Sequence, residues 1–307
     1  MRYQSKNMSY IFNYEYFDEL DLMGSSSKLI EDKNSEILRF KFMEKTPVTE
    51  WRQLEGFEII ELFTLYPGML MGLGNIHEIK MEGAIKCGFN FDYTTGTPFI
   101  PGSSLKGMLR SYFPKTNSDE ELIEYIKSLL PEKEKSEENE LDVIDFRDKL
   151  FVGDTIYLGA YPAIDKPMSL ISMEYITKHN GFKNPNPVSL IKVKPGVKFE
   201  FCFALSDILL ENGQIVKKDA ILQVFKGILI DMGAGAKTNT GFGNLSEKEP
   251  KEPKKNIKLP DVANTTKVNN AAPLCRICHK NRCDFNTKYN NYFHICQECN
   301  KKKRSRF

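Results

Sequence analysis

The chain has 307 residues, of which 41% are hydrophobic and 27% are charged, a composition typical of globular proteins. It has no run of about eighteen apolar residues, the length that a membrane-spanning helix requires, and its N-terminal residues lack the apolar stretch of a signal peptide. The sequence therefore predicts a cytoplasmic protein with no membrane partner.

Charge is distributed unevenly along the chain. Residues 251–307 hold 14 Lys and Arg against 4 Asp and Glu, whereas residues 1–250 hold 29 against 37. A basic tail on an acidic body is typical of proteins with a polyanionic partner, although a solubilising tail has the same composition. Residues 116–150 carry much of the negative charge, with 12 Asp and Glu against 5 Lys and Arg, and we predict that this acidic helical insertion faces away from nucleic acid.

The predicted elements alternate between strands and helices. In chain order, residues 1–50 give no clear assignment, and patterns of apolar residues then predict strands, helices and loops. The first half contains a strand over 57–62, a turn at 66–68, a strand over 84–92, a helix from about Ser103 with Ser103 or Ser104 as its N-cap, and a helix over 122–130. The second half contains a strand over 156–161, a loop or hairpin tip over 173–187, strands over 188–193 and 197–205, a helix over 218–231 and a last strand near 242–246.

This order predicts an α+β fold of the ferredoxin-like type, the fold of RNA-recognition motifs, with insertions. We predict one domain over residues 1–250, a flexible Lys/Pro-rich linker over 251–270 and a basic module over 271–307.

A glycine-rich loop at residues 233–243, with the sequence Gly-Ala-Gly-Ala-Lys-Thr-Asn-Thr-Gly-Phe-Gly, is predicted to follow the last helix. Its glycines permit close approach of the backbone to a ligand, and Lys237 adds a cation. Ala236 occupies the position where a Walker A loop has glycine, and a helix precedes this loop, so neither a P-loop nor a dinucleotide-binding loop is predicted. The residues suit contact with a phosphate backbone, but they also suit a simple helix end.

The helix that starts near Ser103 offers a second anion site, because a helix N-terminus has free N–H groups and a favourable dipole. Ser104, Lys106 and Arg110 follow within two turns. An ordinary capped helix would have the same sequence.

Five of the seven cysteines lie close together near the C-terminus. Two Cys-x-x-Cys pairs, separated by 17 residues, predict one closed structural zinc site with the ligands Cys275, Cys278, Cys296 and Cys299. Cys283 or His294 could replace one ligand. The isolated Cys87 and Cys202 are predicted to be inert core residues.

Catalysis has little support in the sequence. His77 and His179 lie in predicted loops and are the candidates for a general base in RNA cleavage, but neither has a visible catalytic partner. We therefore predict a protein that is not an enzyme. A ribonuclease and a zinc-dependent DNA-binding regulator remain the alternatives.

Several motifs together resemble the RAMP proteins of type III CRISPR systems, and more narrowly the sixth-subunit family of the type III-B (Cmr) complex. They are Leu-Tyr-Pro-Gly at 65–68, Pro-Gly-Ser-Ser-Leu-Lys-Gly at 101–107, Asn-Pro-Asn-Pro at 184–187 continuing to Lys-Pro-Gly at 194–196, and Gly-Ala-Lys-Thr-Asn-Thr-Gly-Phe-Gly at 235–243. The resemblance covers roughly residues 55–250, and the cysteine module lies outside the family pattern.

The resemblance implies a non-catalytic subunit that caps the guide-RNA (crRNA) filament near its 3′ end, helps to bind target RNA in antiviral defence and contacts other Cmr subunits. Target cleavage in such complexes belongs to a neighbouring subunit. By the same resemblance, the residues that contact guide RNA are Ser103, Ser104, Lys106, Arg110, Gly233, Gly235, Lys237, Thr238 and Asn239.

Overall fold

The computed structural model describes residues 4–20, 27–43, 46–72, 81–86, 88–131, 141–177, 187–250, 285–286 and 291–292. The helices in these ranges are α1 (Met8–Asn13), α2 (Ser27–Arg39), α3 (Val48–Trp51), α4 (Gly102–Arg110), α5 (Glu120–Leu129), α6 (Val143–Val152) and α7 (Lys218–Met232), with 3-10 helices at Glu15–Phe17 and Thr238–Thr240. The strands are β1 (Phe57–Thr64), β2 (Ile100–Pro101), β3 (Ile156–Pro162), β4 (Ile171–Thr177), β5 (Pro187–Val193), β6 (Lys198–Ala204), β7 (Ile208–Leu209), β8 (Ile215–Val216), β9 (Leu245–Ser246), β10 (Phe285–Asn286) and β11 (Asn291–Tyr292).

The central sheet has five strands in the order β2–β3–β6–β1–β9, and every neighbouring pair is antiparallel. The chain visits β1, α4, β3, β6, α7 and β9 in turn, which is the strand–helix–strand–strand–helix–strand order of ferredoxin-like folds. The α+β prediction is confirmed, and the connections match the predicted ferredoxin-like order.

One face of this sheet packs against the helices to form the core. Alternate side chains of β6 point to the same face, and Phe199, Phe201 and Phe203 are fully buried there. The ring of Phe203 lies 5.0 Å from that of Phe225 on α7, which is itself buried. The apolar spacing of α7 predicted this packing, because its buried residues recur on one side of the helix.

The opposite face of the sheet is covered by the residues around α3. Trp51 packs edge-on against Tyr161 of β3 with ring centroids 5.5 Å apart. Arg52 pairs with Glu200 of β6, with 3.1 Å between Nη2 and Oε1. Burial raises the pKa of Glu200, and the charge of Arg52 opposes that rise. Cys202 is buried on this face beside Tyr161, in agreement with its predicted core position, and burial raises the pKa of its thiol to about 12.

Insertions enlarge the sheet-and-helix unit. Helices α5 and α6 lie in the chain between α4 and β3, and the β4–β5 hairpin lies between β3 and β6. The helix predicted over 122–130 corresponds to α5, whereas α6 was not predicted. Helix α5 contacts α7, where the Tyr125 hydroxyl donates to Asp231.

One of three local predictions was wrong, and the other two hold with adjusted bounds. Residues 84–92 do not form a strand in their described part, where Ile85 and Phe91 make only isolated bridges. The reason is that this backbone pairs with three different segments in turn: Lys86 N donates to Ser189 O, Asn90 N to Met71 O and Asp92 N to Thr97 O. Residues 173–177 belong to β4, which pairs with β5 as an antiparallel hairpin, so the segment predicted as a loop or hairpin tip is a hairpin whose residues 178–186 lie outside the described residues. The helix predicted to start near Ser103 begins at Gly102, one residue away.

Candidate nucleic-acid interface

The glycine-rich loop begins where α7 ends, at Gly233, whose φ is 72°. Backbone hydrogen bonds hold both ends of the loop. Ala234 N donates to Gly243 O (2.9 Å), Ala236 N donates to Leu70 O (2.7 Å), and Gly243 N donates to Gly68 O (2.8 Å). The base of the loop is therefore fixed against residues 68–70, whereas residues 235–240 lie largely exposed at its tip.

Two glycines are required by this geometry. A Cβ at Gly243 would lie 1.8 Å from Ala234 O, and a Cβ at Gly235 would lie 2.4 Å from Leu70 O. Both residues also have a positive φ, 74° and 87°, which side chains rarely tolerate. The spacing of glycines that predicted a ligand loop thus also serves to bring three backbone segments together.

The polar residues predicted to contact RNA stand on the exposed part of this loop. Lys237 has a φ of 58°, in the left-handed region, and its carbonyl accepts hydrogen bonds from both the backbone and the side chain of Thr240. Thr238 and Asn239 follow in a 3-10 turn, with Asn239 exposed and Thr238 partly so. The loop therefore presents one cation and two neutral polar side chains toward solvent.

Helix α4 faces this loop with its N-terminus. Its N-cap is Pro101, with an extended ψ of 145°, so the prediction that Ser103 or Ser104 is the N-cap was wrong. The helix starts early because Gly102 fits against β3, where a Cβ would lie 1.8 Å from Tyr157 O. Proline has no capping side chain, and the first N–H groups of a helix lack intrahelical acceptors. Both serines lie exposed in this first turn, which suits an anion.

Lys106 and Arg110 lie on a different side of α4 from Ser104, since they follow it by two and six positions, which places them about 200° and about 240° around the helix. The Lys106 Nζ lies 5.5 Å from the ring centroid of Tyr157. Burial raises the pKa of Tyr157, and the charge of Arg110 opposes that rise. The two predicted cations therefore stand beside β3 rather than beside the glycine-rich loop.

A cleft of about 230 Å³ lies between the start of α4 and the glycine-rich loop. Ser104 lines one wall and Gly235 lines the other, so the structure brings the two predicted segments together. The full lining is Met71, Gly72, Asn90, Ile100, Pro101, Ser104, Leu105, Met108, Ala234, Gly235 and Ala236. Asn90 was not predicted as a site residue, because it falls in the segment that we interpreted as a strand.

A second surface adjoins the loop through Phe242, which is mostly buried. Lys192 Nζ lies 5.7 Å from the Phe242 ring centroid and 5.9 Å from that of Tyr66, and it is paired with Glu174 at 2.6 Å. The Tyr66 side chain is 55% exposed. An exposed aromatic ring beside a cation suits stacking with a nucleobase.

The face of the sheet that RNA-recognition motifs use for stacking bases is not available in this chain. Trp51 and Arg52 cover it, and the buried Glu200 adds a carboxylate there. The exposed polar groups and the cleft lie instead at the loop end of α7 and the start of α4. The geometry therefore favours an interface along the cleft.

The predicted zinc ligands and the candidate catalytic histidines lie outside the described residues. The hairpin of β10 and β11 lies in the chain between the two Cys-x-x-Cys pairs. None of the described helices is both long and apolar enough to cross a membrane.

Comparisons with known proteins point to one family. A family model for the RAMP superfamily matches residues 61–246. A chain in the cryo-EM structure of the type III-B Cmr-beta complex bound to cognate target RNA is 19% identical, with a TM-score of 0.44, covering 77% of this chain and 84% of that one. The crystal structure of Cmr6 from Pyrococcus furiosus is 19% identical, with a TM-score of 0.37, covering 64% of this chain and all of that one. No curated protein matches.

Proposed function

The chain belongs to the RAMP superfamily, and from that premise we propose that it is a non-catalytic RNA-binding subunit of a type III-B (Cmr) CRISPR ribonucleoprotein. In this proposal it caps the filament near the crRNA 3′ end, helps to bind target RNA in antiviral defence, and works in the cytoplasm beside other Cmr subunits. The motifs at 65–68, 101–107 and 235–243 support the subunit assignment.

The observation that carries the proposal is the cleft itself. Two segments that are 130 residues apart in sequence, at Ser104 and Ala234, form its opposite walls. Each wall supplies groups that suit phosphate: free N–H groups at the start of α4, and the exposed backbone with Lys237 on the loop. A single RNA strand that follows the cleft would meet both walls.

The side chains divide into two roles. Ser103, Ser104, Lys237, Thr238 and Asn239 would contact the sugar–phosphate backbone, which fixes position without reading sequence. Gly233 and Gly235 would act through their shape, by letting the loop come close to the strand.

Lys106 and Arg110 would extend the positive surface along α4 toward β3, away from the cleft. Tyr66 would offer a base-stacking surface beside the loop.

The decisive experiment measures binding of single-stranded RNA to the full chain over a range of salt concentrations. Replacing Lys237 with alanine should remove one phosphate contact, so the slope of log affinity against log salt should fall by about 0.7. Lys217→Ala is the matched control. Lys217 is also exposed and precedes α7 at the end opposite the loop, about 22 Å away for a helix of this length.

An unchanged slope in Lys237→Ala, or an equal change in Lys217→Ala, would remove the loop from the RNA interface. Failure of the full chain to bind RNA at any salt concentration would reject RNA binding by this subunit in isolation.

A ribonuclease that processes guide RNA remains the second candidate, since His77 and His179 are possible general bases. Incubation of the full chain with repeat RNA distinguishes the two. We expect the RNA to remain intact. Cleavage without metal that is lost in His77→Ala or in His179→Ala would establish the enzyme instead.

We also propose that residues 271–307 form a zinc module joined by a linker over 251–270 to the domain of residues 1–250. Its ligands would be Cys275, Cys278, Cys296 and Cys299, the four thiolates of a closed structural site. A short hairpin between the two pairs supports this assignment, because it would bring the pairs toward each other. The 14 Lys and Arg of residues 251–307 suit contact with RNA or with an acidic subunit surface.

Metal analysis of the purified full chain tests the module. We expect about one zinc per chain, reduced strongly in Cys275→Ser and in Cys299→Ser, and unchanged in Cys202→Ala, whose thiol is buried in β6. If the two serine variants keep their zinc, Cys283 and His294 are the next ligands to test.

A further inference from the structure

Lys194 is a partly buried cation that pairs with no carboxylate of the described residues. The nearby lysines of the same two strands each have such a partner. Lys192 pairs with Glu174 at 2.6 Å, and Lys198 pairs with Glu61 at 3.3 Å. A charge that is partly withdrawn from water without an opposite charge beside it is costly, so Lys194 indicates an anionic ligand.

The fold holds the Lys194 amine in a defined place. Its Nζ donates to Ser169 Oγ at 2.8 Å, and that hydroxyl donates in turn to Leu38 O at 3.0 Å. The turn that carries this lysine is fixed as well, because Thr64 Oγ1 donates to Lys194 O at 2.7 Å. An ammonium group has three N–H bonds, so two remain for a ligand after the bond to Ser169.

A second cation stands beside this amine. Phe42 and Met168 form an antiparallel bridge, with backbone hydrogen bonds of 2.9 and 3.2 Å in the two directions. Lys41 therefore lies opposite Ser169, with about 5 Å between their Cβ atoms. Lys41 is exposed and has no carboxylate partner in the described part of the chain. Burial, and after it the charge of Lys41, lower the pKa of Lys194.

This pair of lysines adjoins the base of the glycine-rich loop. Gly243 N donates to Gly68 O at 2.8 Å. Because Met69 forms an antiparallel bridge with Val193, Gly68 lies opposite Lys194, and a Cβ at Gly68 would lie 3.5 Å from the Lys194 carbonyl carbon. Two steps of about 5 Å each thus lead along the backbone from the end of the loop to Lys194.

The charges of the surrounding segments favour an anion. Residues 38–43 contain Arg39 and Lys41 and no acidic residue, and in residues 163–170 the charges of Asp165 and Lys166 cancel. With Lys194, three positive charges are left without a negative one. A phosphate group has the opposite charge and several acceptor oxygens, and lysines bind such groups in nucleic-acid backbones.

We propose that Lys41 and Lys194 together bind a phosphodiester of the RNA strand that leaves the glycine-rich loop, so that the strand continues past the loop onto this surface. This inference rests on the proposed RNA-binding function and adds a second phosphate site, with two lysines that are not among the predicted contact residues. A phosphate oxygen between the two ammonium groups removes their mutual repulsion and accepts the N–H bonds that Ser169 leaves.

The first test measures binding of single-stranded RNA, with hydroxyl groups at both ends, to the full chain over a range of salt concentrations. Lys41→Ala should lower the slope of log affinity against log salt by about 0.7, the loss of one phosphate contact. Lys194→Gln should lower it by a similar amount. Lys115→Ala is the matched control and should leave the slope unchanged. Lys115 is likewise exposed and has no carboxylate partner in the described ranges, but it lies just before α5.

The second test uses the unaltered chain and does not depend on how a variant folds. An amine-reactive ester modifies accessible lysines, and mass spectrometry of the digested chain measures the modification at each one. We expect bound RNA to reduce the modification of Lys41 and of Lys194 several-fold and to leave that of Lys115 unchanged.

The site is supported only if both results are obtained. If Lys237→Ala lowers the slope but Lys41→Ala does not, or if RNA protects neither Lys41 nor Lys194, this site is wrong and the proposed RNA binding stands. An equal change in Lys115→Ala also overturns it, because the effect is then one of overall charge. If protection requires a terminal phosphate on the RNA, the site binds a strand end and the continuing strand is rejected. If the full chain binds no RNA, the proposed function itself fails.

Discussion

The two walls of the cleft are held in place by different forces. The loop wall, Gly233–Gly243, is fixed mainly by hydrogen bonds between backbone atoms, and its tip points into solvent. The helix wall, Gly102–Arg110, is fixed mainly by Leu105 and Leu109, which are completely buried. One wall depends on the absence of side chains at defined positions, and the other depends on the presence of apolar ones.

In the loop, the residues that set the backbone shape are not the residues whose side chains can contact a ligand. Because Gly233, Gly235 and Gly243 and their backbone neighbours set the shape, the side chains of residues 237–239 are left for a ligand. On the helix the two functions share the same residues more closely, since Ser104 lines the cleft one position before the buried Leu105. Substitutions should therefore affect the two walls in different and measurable ways.

The largest effect is expected at Gly243. In Gly243→Ala the new Cβ would lie 1.8 Å from Ala234 O at a φ of 74°, so the base of the loop must move. Because a backbone oxygen cannot move aside as the end of a flexible side chain can, we expect a loss of about 4 kcal/mol or more in the free energy of unfolding. Urea unfolding of the full chain measures this loss. A loss below about 1 kcal/mol would show that the loop base adapts and that the glycine is not required for shape.

The helix wall should respond to loss of volume instead. Leu105 is fully buried, and Leu105→Ala removes its packing against the core, which typically costs about 2–5 kcal/mol. Leu105→Met keeps most of the volume and should cost less than about 1.5 kcal/mol. The same urea titration measures both variants. Equal losses in the two variants would mean that something other than packing volume holds the helix.

Acid should distinguish the walls as well, because the turn that leads into α4 depends on a carboxylate and residues 233–243 contain none. Burial alone would raise the pKa of Asp92, but hydrogen bonds from Thr94, Thr95 and Tyr161 outweigh it and lower that pKa. The folded state therefore binds this proton less tightly than the unfolded state, whose carboxyl titrates near pH 3.9. The stabilisation is present above that pH and is lost as pH falls through the folded pKa.

Near neutral pH, Asp92→Asn should accordingly lower the free energy of unfolding by about 1.5 kcal/mol relative to the parent chain, because a hydrogen bond to a charged group contributes about that much. The difference should shrink below about pH 4, where Asp92 of the unfolded parent chain binds its proton before Asp92 of the folded chain does. Urea titrations at several pH values measure it. A difference that stays constant with pH would mean that the amide fails for steric reasons, not for lack of charge.

Long, regular segments were predictable from the sequence, and positions set by contacts between distant segments were not. The burial of α7 and β6 follows from local periodicity, so both were predicted. The helix start at Gly102 is set by Tyr157 O, far along the chain, and no local pattern contains that contact.

The candidate site shows the same limit. Its two segments were predicted from their own residues, whereas the cleft between them, and the place of Asn90 in it, depend on how the sheet joins β1, β3 and β6. Lys106 and Arg110 were grouped with the anion site by proximity in sequence, but helical geometry turns them toward Tyr157. Residues 1–50 were left unassigned because α1 and α3 have only 6 and 4 residues, too few to show a helical period, and because the buried side of α2 includes the polar Lys33 and Asn34 between Ile30 and Ile37.

The smallest effect on stability is expected at Gly107 of the helix wall, and its sign should be opposite to the effect of a substitution at Gly243 of the loop wall. This glycine lies exposed inside α4, and a Cβ there would meet nothing within 4 Å. Because glycine is a poor helix former, Gly107→Ala should raise the free energy of unfolding by about 0.5–1 kcal/mol, the opposite sign to Gly243→Ala.

The added methyl group lies one helical turn from Ser104, so RNA that crosses the start of α4 should bind several-fold more weakly despite the more stable fold. Ser128→Ala on α5 serves as the control, since it should also change stability only slightly and leave RNA binding unchanged. If Gly107→Ala stabilises the protein and RNA affinity does not change, the RNA strand contacts only the loop wall, and the helix wall only supports the fold.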